Sequence, residues 1–159
     1  MPLTITPLST EADAEICARL MAQSEPWLTL RRSYDAALTI IRDPTREVYV
    51  ARDEDGVAGF LILCLIGAFV GYIQTVAVHP DRRGQGLGTQ LIVFAERRIF
   101  RDFPNTFMCV SSFNHEARRL YERLGYQVIG ELTDYILPGY SEILLRKTTG
   151  PLSSPPATA

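Results

Sequence analysis

Cysteine is scarce and badly placed for cross-linking: Cys17, Cys64 and Cys109 are odd in number, far apart and without C-x-x-C spacing. That argues against a disulfide scaffold and against a thiolate zinc site, so no metal is expected, and it favours a reducing, cytoplasmic compartment. An excess of one charge is missing too. Sixteen basic residues against 18 acidic ones leave a net charge of -2 and a pI near 5.7, so no nucleic-acid partner is expected. The opening MPLTITPLSTEADAE has neither a basic n-region nor a long apolar core, and is not read as a secretory signal. From Gly56 to His79 there is no charged side chain at all. The apolar run Val57–Ile73 approaches the length of a membrane span, but Gly59, Gly67 and Gly71 interrupt it and no Lys/Arg cluster flanks it. Two buried strands joined at a glycine-bearing tip are expected instead, with no membrane partner.

What is present suits one ordinary domain. The chain has 159 residues, 47% hydrophobic and 21% charged, enough to bury about 70% of the surface of its unfolded form. Leu3–Pro7 reads as a first strand, and Ser9 or Thr10 can cap the helix that carries Ile16, Leu20 and Met21 on one face. Glu25-Pro26 should break that helix, and a second one is expected over Arg31–Ile41. Strands follow at Glu47–Arg52, Val57–Ile66 and Phe69–His79, then a helix over Leu87–Arg101, a strand at Thr106–Ser111 and a helix over Asn114–Leu124. Strands near Tyr126–Leu132 and Ser141–Lys147 close a domain drawn at 1–147. The remainder, 148–159, is rich in Pro, Ser and Thr and is expected to be disordered. This order predicts an α/β fold, a mixed sheet with helices on its faces.

The segment richest in chemistry is VAVHPDRRGQGLGT, Val76–Thr89. A strand ends at Pro80, and Gly84, Gly86 and Gly88 open a helix, which turns free backbone amides and the positive end of a helix dipole toward one point. That is the chemistry of a phosphate cradle, although a turn that only reverses the chain would look the same in isolation. A dinucleotide fingerprint fails because Thr89 stands where its third glycine belongs, and a Walker loop fails because no glycine precedes a lysine. A second pattern lies at Asn114-x-x-Ala117-x-x-x-Tyr121-x-x-x-Gly125-Tyr126. Asn114 suits a helix N-cap and Gly125 a helix end, while Ala117, Leu120, Tyr121 and Leu124 share one face. Tyr121 then falls nearly in line with Asn114, about 10 Å along the axis, which by spacing alone reads as a core aromatic below a cap.

Arg83-x-x-Gly86-x-Gly88 after an apolar strand and Val78-His79-Pro80 resembles motif A of the GCN5-related N-acetyltransferase (GNAT) superfamily, and the Asn114–Tyr126 pattern resembles its motif B. The resemblance covers about Leu3 to Lys147. It implies a mostly antiparallel sheet of about seven strands flanked by about four helices. It also implies transfer of an acetyl group from acetyl-CoA to a small-molecule or peptide amine by direct attack on the thioester. On that resemblance, Val76 and Val78 offer backbone groups to the pantetheine arm, and Arg83, Gly84, Gln85, Gly86, Gly88 and Thr89 form the pyrophosphate loop. Asn114 contacts the arm, and Tyr121 protonates the departing thiolate. Free tyrosine and thiol pKa values make that proton transfer uphill by about 2 kcal/mol. Superfamily members often pair, which leaves a homodimer open.

The sequence departs from the family in one respect. Many members carry a carboxylate on the strand that here reads Tyr72-Ile73-Gln74-Thr75, and Gln74 cannot act as a base at neutral pH. Water, Glu131, Asp134, His79 and His115 stay open as the base, and a protein of this fold that binds acetyl-CoA without turning it over is the alternative reading. The acceptor side is expected at Gln74, at Trp27 in the Glu25–Leu30 connection, and at Tyr135 in the Asp134–Tyr140 loop. Their mixed aromatic and acidic character would suit a cationic or amphipathic amine. Arginines 82, 97, 98, 101, 118, 119 and 123 are partners to consider for a 3′-phosphate, or else a solvated face.

Overall fold

In the computed structural model, which describes residues 3–153, the strands are β1 (Thr4–Pro7), β2 (Arg46–Asp53), β3 (Gly56–Cys64), β4 (Tyr72–Val78), β5 (Asn105–Ser111), β6 (Gln127–Leu132) and β7 (Glu142–Thr148). The helices are α1 (Glu11–Ala22), α2 (Tyr34–Ile41), α3 (Leu87–Phe100) and α4 (His115–Arg123). The strands form one seven-stranded sheet in the order β1-β2-β3-β4-β5-β7-β6, antiparallel throughout except between β4 and β5. The mixed, mostly antiparallel sheet with four helices is the α/β architecture expected.

The charge-free run becomes β3, the turn after it and β4 because both faces of these strands are covered. Leu61 and Leu63 face α3, packing with Leu91, Ile92 and Ile99, whereas Phe60 and Ile62 face α1 and α2, packing with Met21 and Leu38. Strict alternation along an extended strand produces this two-sided burial. Each of these buried side chains contributes about 1.5–3 kcal/mol. Among the described residues no helix is long and apolar enough to cross a membrane.

The helix ends follow their capping residues. Thr10 Oγ1 accepts from the Asp13 amide at 3.1 Å, and Ser33 Oγ from the Ala36 amide at 3.1 Å. The cap at Ser33 is why α2 starts at Tyr34 rather than at the expected Arg31, which has a left-handed φ of 57° and stands in a turn. Strand β7 runs to Thr148, and the Thr149 amide donates to Pro104 O at 2.8 Å, so ordered contacts pass the expected boundary at 147. The rest of the expected tail, 154–159, lies outside the described residues.

The site takes its shape from one close approach of two strands. Gly71 has a φ of 97°, and a Cβ there would lie 2.2 Å from Asn105 O. Only glycine lets the two chains come this close. The Phe107 amide donates to Gly71 O at 3.0 Å, and Tyr72 and Ile73 pair with Phe107 and Met108. Beyond that register β4 and β5 separate, and no further pairs form.

Candidate active site

The separation leaves one edge of β4 without a partner. The His79 amide donates to Ala58 O on β3 at 2.8 Å. Because backbone groups alternate sides along a strand, Val76 and Val78 turn their N–H and C=O groups to the opposite edge, into the gap. Val78 O meets Arg83 Nε there at 3.4 Å.

Two cavities occupy the gap. The larger, about 480 Å³, is bordered by Val78, Arg83, Gly84, Gly86, Gly88 and Thr89. Gly84 and Gly86 hold φ values of 71° and 79°, and a Cβ on either would meet nothing within 4 Å. Their conformation, not crowding, requires glycine. Gly86 is the N-cap of α3 and brings no side-chain hydrogen bond, so the first amides of this 14-residue helix are left uncapped by any side chain. Gln85 lines neither cavity; its side-chain amide donates to Asp81 O at 3.2 Å. Arg82 is bound by Asp53 and Asp55, Arg98 by Glu47 and Asp102, and Arg118 by Glu122. Of the arginines considered for a phosphate, Arg82 and Arg123 border this cavity.

The second cavity, about 410 Å³, lies between β4, β5, β7 and the connection after α1. Trp27, Gln74 and Tyr135, the three residues expected on the acceptor side, reach its wall from three separate parts of the chain. Gln74 Oε1 accepts from Arg46 Nε at 2.7 Å. The two cavities share a wall: Val76, Asn114, Ala117, Tyr121, Trp27 and Glu25 border both. Asn114 caps α4, its Oδ1 accepting from the Ala117 amide at 3.3 Å. Tyr121 comes two turns later, packed edge-on against Tyr126 at 6.4 Å between ring centroids. Its hydroxyl makes no hydrogen bond among the described residues, and burial pushes its pKa up to about 12.

The sequence profile of the acetyltransferase (GNAT) family matches residues 14–126. The chain belongs to that family. Relatives that it matches are named as acetyltransferases, which supports an acyltransferase enzyme. The chain is 34% identical over 90 residues to blasticidin-S acetyltransferase of Streptomyces morookaense, a match covering 52% of this chain and 65% of that protein. It is 28% identical over 160 residues to the N-alpha-acetyltransferase RimI of Mycobacterium tuberculosis, covering 94% of each. The fold matches the crystal structure of the ribosomal-protein-S18-alanine N-acetyltransferase of Escherichia coli with a TM-score of 0.76 at 19% identity, covering 99% of both chains.

The GNAT sheet also holds groups the sequence did not single out. Glu142, at the start of β7, is 5% exposed, lines the second cavity and accepts from Ser111 Oγ at 2.6 Å. Desolvation raises its pKa above the ordinary carboxyl range, and the Ser111 hydrogen bond only partly opposes that. Cys109 lines the same cavity with its thiol pKa raised by burial. Arg32 and Arg46 line it too, so its wall is basic as well as acidic and aromatic. A lone sequence carries no signal for these residues: a Glu opening a strand and an Arg after a loop ordinarily face water. The bases left open earlier lie elsewhere. His79, His115, Glu131 and Asp134 line neither cavity, and Asp134 instead accepts from the Gly139 amide at 2.7 Å.

Proposed function

We propose that residues 3–149 form one catalytic domain that transfers an acetyl group from acetyl-CoA to an amine in a single complex of both substrates. The observation that carries this reading is the shared wall at Val76, Asn114 and Tyr121, which joins an anion-binding loop to a polar chamber. The loop suits a pyrophosphate because the first turn of α3 is uncapped and Gly84 and Gly86 leave its surface bare.

Bound acetyl-CoA supplies a thioester carbonyl and a thiolate leaving group. Backbone amides from Arg83 to Gly88, with that of Thr89, hold the pyrophosphate. Val76 and Val78 present backbone groups to the pantetheine arm along the edge that β5 vacates, with Asn114 opposite. Trp27, Gln74 and Tyr135 border the acceptor. As the amine nitrogen bonds to the carbonyl carbon and the carbon–sulfur bond breaks, Glu142 takes the amine proton and Tyr121 gives its own to sulfur.

The direction of each pKa shift suits its role. A carboxylate raised by desolvation is a stronger base than a solvated one. A phenol with a pKa of about 12 keeps its proton at every physiological pH. Against a free thiol the Tyr121 transfer is uphill by about 5 kcal/mol, more than the unperturbed values imply. The same dry pocket raises the proton affinity of the thiolate, which narrows that gap.

The relatives are named for blasticidin-S acetylation and for N-alpha-acetylation, so small-molecule and peptide amines are both in scope. Thiol release from acetyl-CoA, measured across an amine panel for wild type and Tyr121→Phe, tests the proposal. Amine-dependent release that collapses in the variant supports it. Tight acetyl-CoA binding with no amine-dependent release overturns it.

A further inference from the structure

The second cavity has four charged side chains on its wall, and three of them make side-chain hydrogen bonds within the protein. The Glu25 carboxylate accepts from the Thr29 amide at 3.2 Å and from Thr29 Oγ1 at 3.0 Å. Glu142 accepts from Ser111 Oγ. Arg46 donates to Gln74 and lies 3.4 Å from Asp43 Oδ2. Arg32 is the exception. It has no ion pair among the described residues, and its Nε is the one buried side-chain nitrogen or oxygen among them without a hydrogen-bond partner. The backbone fixes it there: Arg31 takes a left-handed φ of 57°, and the Arg32 amide donates to Trp27 O at 2.9 Å.

A buried guanidinium donor without a partner is costly, and such a group in a cavity wall marks where a ligand completes the pairing. Guanidinium groups match carboxylates with two parallel hydrogen bonds. Among the described residues Arg32 carries a positive charge without an ion pair, and Glu25 and Glu142 carry carboxylates without one, so the wall suits an acceptor that bears both an amine and one carboxylate. A phosphate dianion would need the Arg46 charge as well, which Asp43 already compensates. We infer that the amine acceptor also carries a carboxylate, and that Arg32 binds it while the amine lies toward Glu142. The inference rests on the acetyltransferase reading of this cavity. The chamber of about 410 Å³ is the size of a single small molecule or of the end of a peptide, so both groups belong to one acceptor.

Phenylalanine, lysine and 4-aminobutyrate, each set against its own carboxamide, are the probes. The readouts are acetyl-CoA-dependent thiol release and equilibrium binding to the CoA-saturated protein. The expected result is a preference of about tenfold or more for at least one carboxylate over its carboxamide. The preference should fall to about one in Arg32→Gln, return in part in Arg32→Lys, and invert in Arg32→Glu. A ratio reports on recognition even where a variant loses overall activity. Equal handling of every pair by wild type, or a preference that survives Arg32→Gln, overturns the inference. So does failure of all three carboxylates to bind while acetyl-CoA still binds. Failure to bind acetyl-CoA strikes instead at the proposed function, which separates the two failures.

Discussion

The two cavities that meet at Tyr121 are built from different materials. The loop side is mostly backbone: two glycines with left-handed φ values, an uncapped helix start and a strand edge freed by divergence from its neighbour. Its main wall comes from one stretch of sequence, Val76 to Thr89. The chamber side is mostly side chains, drawn from the connection after α1, from β2, β4, β5 and β7, and from the loop before β7. Backbone sites recognise what is constant in a substrate, such as a pyrophosphate, and tolerate wide sequence change. Side-chain sites recognise what varies, and can be rebuilt one residue at a time.

The largest effect should come where the two meet. Tyr121→Phe removes the acid and little volume, so kcat should fall about 100-fold or more with acetyl-CoA affinity within about threefold. Isothermal titration alongside steady-state rates separates the two. A variant that loses binding and turnover together would mean that Tyr121 is wall, not acid.

Next is the chamber carboxylate. Glu142→Gln keeps the shape and the Ser111 contact but not the proton acceptor, and kcat/KM should drop about 100-fold. Its pH profile carries more information than the drop. The wild-type rate should climb with pH through the raised Glu142 pKa, and that limb should vanish in the variant. Stability gives an independent check with a definite sign. A raised carboxyl pKa means that the protonated form favours the folded state, a contribution present below the unfolded value of 4.5 and lost as pH rises through the folded value. Melting temperatures should therefore move in favour of Glu142→Gln as pH rises above 4.5. Cys109 and Tyr72, two of the titratable groups that share the chamber with Glu142, stay protonated in that range because burial raises both.

On the loop side the prediction falls on the backbone. Gly86→Ala adds one methyl group in open space but forces a left-handed φ on a residue with a Cβ, a cost of about 1–2 kcal/mol. The KM for acetyl-CoA should rise about tenfold and the acceptor KM should hold. If both rise together, the division between the two sides breaks down. The smallest effect is expected at Trp27→Ala, about fivefold on acceptor KM. Because Trp27 borders both cavities, a parallel rise in acetyl-CoA KM would assign it to the junction.

This division also explains what could be read without coordinates. The glycine loop, the Asn114 cap and the Tyr121 face are local patterns, each within one turn or one helix, and spacing suffices to find them. The buried hairpin was legible because burial on both faces forbids charge, and the stretch from Gly56 to His79 carries none. Glu142, Ser111 and Arg32 were not legible. Their meaning comes from the pairing of β5 with β7 and from the turn that carries Arg32 to the chamber wall, contacts made between segments far apart in the chain. The start of α2 differs from the sequence pattern for a nearer reason: the Ser33 cap and the left-handed turn at Arg31 outweigh a helical pattern that extends back to Arg31.

Direct attack requires both substrates to be bound at once across the Tyr121 wall, and an initial-rate matrix in acetyl-CoA and amine tests that most simply. Double-reciprocal lines that intersect are the predicted result. Parallel lines would mean that the acetyl group rests on the protein first, on a nucleophile such as Cys109, and would contradict a single complex of both substrates.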